Sequence, residues 1–226
     1  MTQTTIGILI GKKNYSESSL ILSFYTKENG LVSFIFKGVK KKKIPVFLLG
    51  IYEITYFKRL ESNLGIIQSM QPAVVLNDIF INPQKIIICF FLVDVLRETL
   101  KVEQSDPKIF SFLKTQILKL EIEDNLLLYP IQFLALFIGH LGFSPIIESE
   151  SPNGFDLKTA RFTIEKSNLD VQCVRSLSDL FRENEVKMDK ILAKETLKIL
   201  IDYCKIHLPN FNIEKSLTVI RETLFD

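Results

Sequence analysis

"SLILSFYTKENGLVSFIF", Ser19 to Phe36, is the stretch on which the fold turns. Its two halves, Ser19–Tyr25 and Leu31–Phe36, are rich in β-branched and aromatic residues, which suit a pleated, half-buried surface. Asn29-Gly30 between them tolerates positive φ, so the stretch predicts a β-hairpin. Outward from it, Ile6–Ile10 is a compact apolar run. Leu49–Phe57 alternates Tyr52, Ile54 and Tyr56 with Ile51, Glu53 and Thr55, and Leu64–Gln68 adds a last apolar run. Five short strands in roughly seventy residues predict a small closed barrel, best matched by the five-stranded oligonucleotide/oligosaccharide-binding (OB) barrel.

Near Pro72 the period changes. Asn82-Pro83 and Asp106-Pro107 each pair an N-cap residue with proline at the first helical position. The first opens a helix to about Lys101 with Ile86, Ile87, Phe90, Phe91, Val93 and Leu96 inside. The second opens a helix through Leu120, whose inner face carries Phe110, Leu113, Ile117 and Leu120. Residues 126–141 read as a central buried helix, 144–168 as an irregular insert, and 169–183, 189–207 and 215–225 as further helices. The fold class is therefore α+β: an OB-fold domain over residues 1–77, then a mostly α-helical domain over 78–226.

The net charge of the 226 residues is only +2, which selects no partner. Its distribution does: residues 1–77 hold ten Lys+Arg against four Asp+Glu, and the remainder 18 against 22. A basic barrel joined to a mildly acidic helical part points the barrel at a polyanion. The start of the chain lacks the basic-then-apolar pattern of a signal peptide, which suggests a cytoplasmic protein. Asn125 to Ile147 carries no formal charge, but its prolines and glycines interrupt it short of the about 20 apolar residues a membrane span needs.

Catalytic chemistry is hard to find. The two histidines, His140 and His207, lie far apart, and His140 sits in the most apolar helix, where a buried, hydrogen-bonded role is expected. There is no H-E-x-x-H, G-x-S-x-G or G-x-G-x-x-G motif. "GILIGKK", Gly7 to Lys13, has three residues between its glycines where a phosphate loop needs four, and no Ser or Thr after the lysine. Ser16, Ser18 and Ser19 have no nameable base and suit a turn. The reading is of a protein that is not an enzyme.

The cations remain: Lys12, Lys13, Lys37, the run Lys40, Lys41, Lys42 and Lys43, then Lys58 and Arg59. All lie in or beside the barrel, and they are the nucleic-acid-binding candidates, since phosphates pair with Lys and Arg. Tyr15, Phe34, Phe36, Tyr52 and Tyr56 could stack on bases, but Phe34 and Phe36 share a face with Val32 and are expected inside the barrel.

At this point a family pattern is visible. "YSESSLI" (Tyr15–Ile21), "FYTKENGLV" (Phe24–Val32) and Lys37-Gly38 with its basic run resemble the N-terminal domain of the RecO family of recombination mediators. "HLGFSP" (His140–Pro145) is similar to the family's Leu-Gly-x-x-Pro, and "IEKSL" (Ile213–Leu217) to its C-terminal Lys-Ser-Leu. The resemblance implies a DNA repair and recombination protein with an OB barrel and a helical domain. It implies binding to single- and double-stranded DNA, annealing of complementary strands, and loading of RecA with RecR. It also implies binding to the C-terminal tail of single-stranded-DNA-binding protein (SSB), for which Arg97, Lys101, Lys114 and Lys119 are the candidates on the helices. The work would be done at the nucleoid. Many relatives carry a four-cysteine zinc site after Leu-Gly-x-x-Pro. Here that stretch holds only Cys173, and Cys89 and Cys204 are remote, so no metal and no other cofactor is expected. A different OB-plus-helix protein that binds structured RNA is the alternative reading.

Overall fold

The computed structural model describes residues 2–41, 44–58, 64–100 and 104–225. The chain divides into two compact units, Met1–Ile122 and Glu123–Asp226.

The first unit opens with five strands: β1 (Thr2–Asn14), β2 (Leu20–Thr26), β3 (Gly30–Phe36), β4 (Ile51–Phe57) and β5 (Gly65–Pro72). They close into a barrel in the order β1-β2-β3-β5-β4, with β4 returning to β1. Every pairing is antiparallel except β3 with β5, which is the OB arrangement. The β2–β3 hairpin forms as expected. Its turn spans Lys27–Asn29, because Thr26 pairs with Gly30, whose φ of 63° only glycine adopts without strain.

Strand alternation decides the core. Leu22, Phe24, Phe34, Phe36, Tyr52, Ile54 and Tyr56 point into the barrel with Leu9 and Ile67. Phe34 and Tyr56 meet at 4.6 Å between ring centroids, and Gly65 leaves room for them: a Cβ there would come within 2.8 Å of Phe34. The inward expectation for Phe34 and Phe36 holds, and it extends to Tyr52 and Tyr56. Burial pushes both tyrosine hydroxyls above their ordinary pKa. The Tyr52 hydroxyl accepts from the Phe47 N–H (2.9 Å), and the Tyr56 hydroxyl donates to Gln3 (2.7 Å).

Three helices complete this unit: α1 (Asp78–Ile81), α2 (Pro83–Thr99) and α3 (Pro107–Ile122). The structure groups them with the barrel, whereas the sequence reading drew its boundary after residue 77. The reason is visible on the outside of the barrel. Ile8, Ile10 and Tyr25 are fully buried although the core residues beside them claim the interior. The Tyr25 hydroxyl accepts from the Asp106 N–H at 3.1 Å, just where Asp106 caps α3 through the N–H groups of Lys108 and Ile109. Asn82 caps α2 in the same way.

Helix α1 was not foreseen. Its start is held by Glu121 of α3, whose carboxylate accepts from the N–H groups of Asn77, Asp78 and Ile79 at 2.8–3.0 Å. Burial raises the pKa of Glu121, but those three hydrogen bonds outweigh it and the net shift is downward. Lys85, fully buried in α2, pairs with Asp78 at 2.6 Å and donates to the Glu121 carbonyl at 2.8 Å. The expected interior of α2 needs correction. Phe90 is 52% exposed and Ile86 and Ile87 are half-buried, while Lys85, Ile88, Leu92 and Val95 face inward.

The second unit holds α4 (Tyr129–His140), α5 (Val171–Phe181), α6 (Lys190–His207) and α7 (Glu214–Ile220), continued by a π-helical turn over Arg221–Phe225. Phe133, Leu134, Phe137 and Ile138 make α4 its buried centre, as its lack of charge suggested. No helix among the described residues is long and apolar enough to cross a membrane. His140 is a correction: it ends α4 and is exposed. His207 faces the Leu157 carbonyl at 2.7 Å.

The insert expected to be irregular contains a small sheet of β6 (Ile146–Ile147), β7 (Gly154–Asp156) and β8 (Arg161–Thr163), in the order β6-β8-β7. Phe155 and Phe162 stack within it at 4.2 Å, and Phe155 leans on Tyr203 of α6. Apolar rings thus hold together the segment in which the family resemblance would have put zinc-binding cysteines. Burial pushes up all three thiols, Cys89 to about 12. Among the described residues no three His, Cys, Asp or Glu side chains are grouped as a metal site requires.

Candidate nucleic-acid interface

The basic residues sort by where the strands end. β1 and β2 are joined by residues 15–19, and β3 leaves the barrel at the same end, since Asn14 pairs with Leu20 and Leu20 with Phe36. Lys12 and Lys13 on β1 and Lys37, Lys40 and Lys41 after β3 therefore share one end of the barrel, and all five are exposed.

Hydrogen bonds stitch the two loops together. The Lys40 N–H donates to the Ser18 carbonyl (3.2 Å) and its ammonium to the Ser16 carbonyl (3.3 Å). Within residues 15–19 the N–H groups of Tyr15 and Ser16 both donate to the Ser19 carbonyl. The turn after β3 depends on Gly38, at φ 69°. Either side of the lysine run, Val39 packs into the barrel core and Ile44 packs against it, and the Ile44 N–H donates to the Val39 carbonyl at 3.2 Å. The run is thus anchored at its base by apolar residues. Lys42 and Lys43 themselves lie outside the described residues, as does Arg59.

One further side chain belongs here. Tyr15 is 56% exposed, while every aromatic residue of β2, β3 and β4 except Phe57 is buried. The sequence groups Tyr15 with four strand rings, and its place in the loop after β1, outside the alternation that buries the others, separates it from them. The loop also holds one exposed carboxylate, Glu17, against the five lysines.

A β-bulge between Leu9 and Gly11 sets which lysine faces where. It brings Gly11 opposite Ser23 and Lys13 opposite Ile21, on the outer face of the sheet with Leu31, Ser33 and Ile35. Gly11, Lys12 and Lys13 line a depression of about 250 Å³ there with Ile10, Ile21, Ser23, Leu31 and, from α2, Arg97. Arg97 was grouped by sequence with the SSB-tail candidates, and the structure brings it beside Lys12 and Lys13. Lys114 and Lys119 are exposed on α3, and Lys101 lies outside the described residues.

Lys58 stands apart from the rest. It lines a cleft of about 420 Å³ with Gln3, Glu28, Asn29, Ser33 and Tyr56, beside the β2–β3 turn. Glu28 accepts a 2.6 Å hydrogen bond from Thr5 in the same region.

Comparison with known proteins gives a consistent result. Residues 1–75 match the family model described as Recombination protein O N terminal. Proteins named DNA repair protein RecO resemble the chain along its whole length. The one from Flavobacterium johnsoniae is 26% identical over 230 residues, covering 96% of this chain and 97% of its own. The one from Phocaeicola vulgatus is 28% identical over 238 residues (98% and 99%), and that from Bacteroides fragilis 28% over 243 (100% of both). With an OB-ordered barrel, an N-terminal match to that family model and similarity to these relatives from end to end, the chain is similar to the RecO proteins along its whole length.

Proposed function

We propose that this chain binds DNA through the cationic end of its barrel and acts as a mediator without performing a covalent step. Similarity to the RecO proteins supports a role in DNA repair and recombination. The observation that carries the DNA-binding reading is the clustering of Lys12, Lys13, Lys37, Lys40 and Lys41 from separate segments around one exposed ring, Tyr15. Phosphate contacts of this kind serve single and double strands alike, and they carry no base sequence. A ring in reach of the same strand favours unpaired bases, which have a free face to stack. A protein that holds single strands by phosphate and ring leaves base edges open for pairing, which suits annealing.

The family resemblance extends this to RecR, to RecA loading on SSB-coated strands, and to the acidic, Phe-ending SSB tail. For the tail, α3 supplies suitable chemistry: Leu118 and Ile122 are exposed one turn apart, and Lys114 lies one turn before Leu118. An apolar seat with a cation at its lip matches a terminal phenylalanine and its carboxylate. Annealing of complementary oligonucleotides should be faster with the protein than without it, and an unchanged rate would refute that activity. A fluorescent tail peptide should bind, and equal binding after loss of its last Phe would refute the tail site. Salt-titrated competition between single-stranded DNA and RNA tests the RNA-binding alternative, which predicts preference for RNA through its 2′-hydroxyls.

A further inference from the structure

The depression that joins β1 to α2 extends the lysine loop. Its lining carries two outward cations, Lys13 and Arg97, and no carboxylate; Lys12 borders it too, but its ammonium turns to the Val46 carbonyl at 3.4 Å. Its floor is low. Gly11, at the β-bulge, has no side chain, and a Cβ there would come within 3.3 Å of Ser23. Beside Gly11 lies Ser23, whose hydroxyl hydrogen-bonds to that of Ser33 at 2.8 Å across the sheet. Registry with β4 ends at Ile8, so the part of β1 that carries the two lysines pairs only with β2. Arg97 sits in the last turn of α2, is exposed, and presents a planar fork of donors suited to a phosphate.

We infer that Lys13 and Arg97 form a phosphate groove that continues the lysine loop, so that a bound DNA strand runs from Tyr15 across the outer face of β1 and β2 to the end of α2. The inference rests on the DNA-binding reading and deepens it: α2 becomes part of the DNA site, and Arg97 a phosphate contact. An acidic peptide would also be drawn to these cations. The groove favours a nucleic-acid backbone because Lys13, in its lining, stands at the end of the barrel that bears the lysine loop.

The test uses the full chain and a single-stranded homopolymer of thymidines, with affinity followed against salt. Arg97→Ala should flatten the slope of log K against log salt by about 0.7, the single-strand value for one lost contact. Arg97→Lys should restore it, because the charge returns. Lys40→Ser with Lys41→Ser, measured alongside, reports on the loop independently. If that pair flattens the slope and Arg97→Ala does not, the groove is overturned while DNA binding by the loop stands. If neither does, the DNA-binding reading itself fails. If Arg97→Ala leaves the DNA slope intact but weakens an acidic Phe-ending peptide, the groove belongs to the peptide and the inference is wrong.

Discussion

Two depressions on the same barrel differ in a way their sizes conceal. The larger, at about 420 Å³, contains Lys58 but also Glu28, Gln3 and Asn29. The smaller, at about 250 Å³, is lined by Lys13 and Arg97, with Lys12 at its border, and by no acid. A polyanion is attracted by the sum of charge over a surface, not by the volume of a hollow. The smaller depression therefore belongs with the lysine loop, and the larger does not, even though Lys58 stands in it. A single cation in a cleft that also holds a carboxylate offers a phosphate little net attraction.

The comparison can be broken most easily at the loop. Replacing Lys40, Lys41, Lys42 and Lys43 together by Ser should flatten the salt slope for single-stranded DNA by about 1.4 to 2.1, for two or three lost contacts. The fold should survive, because exposed substitutions between strands cost within about 0.5 kcal/mol each. An unchanged slope in a variant with wild-type circular dichroism would make the run a solvated loop.

Tyr15 sharpens the comparison by separating stacking from charge. Tyr15→Ser should weaken single-stranded DNA binding by about 1–3 kcal/mol, while the salt slope stays as in the wild type. Tyr15→Phe should bind normally, since the ring and not the hydroxyl carries the contact. Loss of slope in Tyr15→Ser would mean that the substitution disturbed the lysines around it rather than a stacked base.

The smallest effect is expected in the larger cleft. Glu28→Gln removes the carboxylate that lines the cleft with Lys58 yet should leave single-stranded DNA affinity within about twofold, on the argument that this cleft is off the strand's path. Its cost should appear in stability instead, about 0.5–1.5 kcal/mol by urea titration, through weakening of the hydrogen bond from Thr5. A marked gain in DNA affinity would place the cleft on the path and end the contrast between the two depressions.

How far the sequence could be read depended on contrast within each segment. Helix α3 spaces Phe110, Leu113, Ile117 and Leu120 by three and four among polar residues, and all four are buried. Helix α2 is apolar nearly all round, so no periodicity marked its inner face, and Phe90 was wrongly placed inside. Lys85 could not be recognised as buried, because its partners, Asp78 and the Glu121 carbonyl, come from two other helices. The strands β6–β8 are two or three residues long, too short for a period-two pattern to register.

The sequence by itself determined the five strands, the β2–β3 hairpin and the capped starts of α2 and α3, since turn chemistry, strand alternation and helix caps act within a few residues. It also determined that the barrel carries the positive charge. Only the tertiary structure decided which charges stand together. Barrel closure put Lys12, Lys13, Lys37, Lys40 and Lys41 at one end and Lys58 beside Glu28 elsewhere. Docking of α2 on β1 brought Arg97 to Lys12 and Lys13 across more than eighty residues of chain. Charge proximity across such a separation is a property of packing, and no local pattern encodes it.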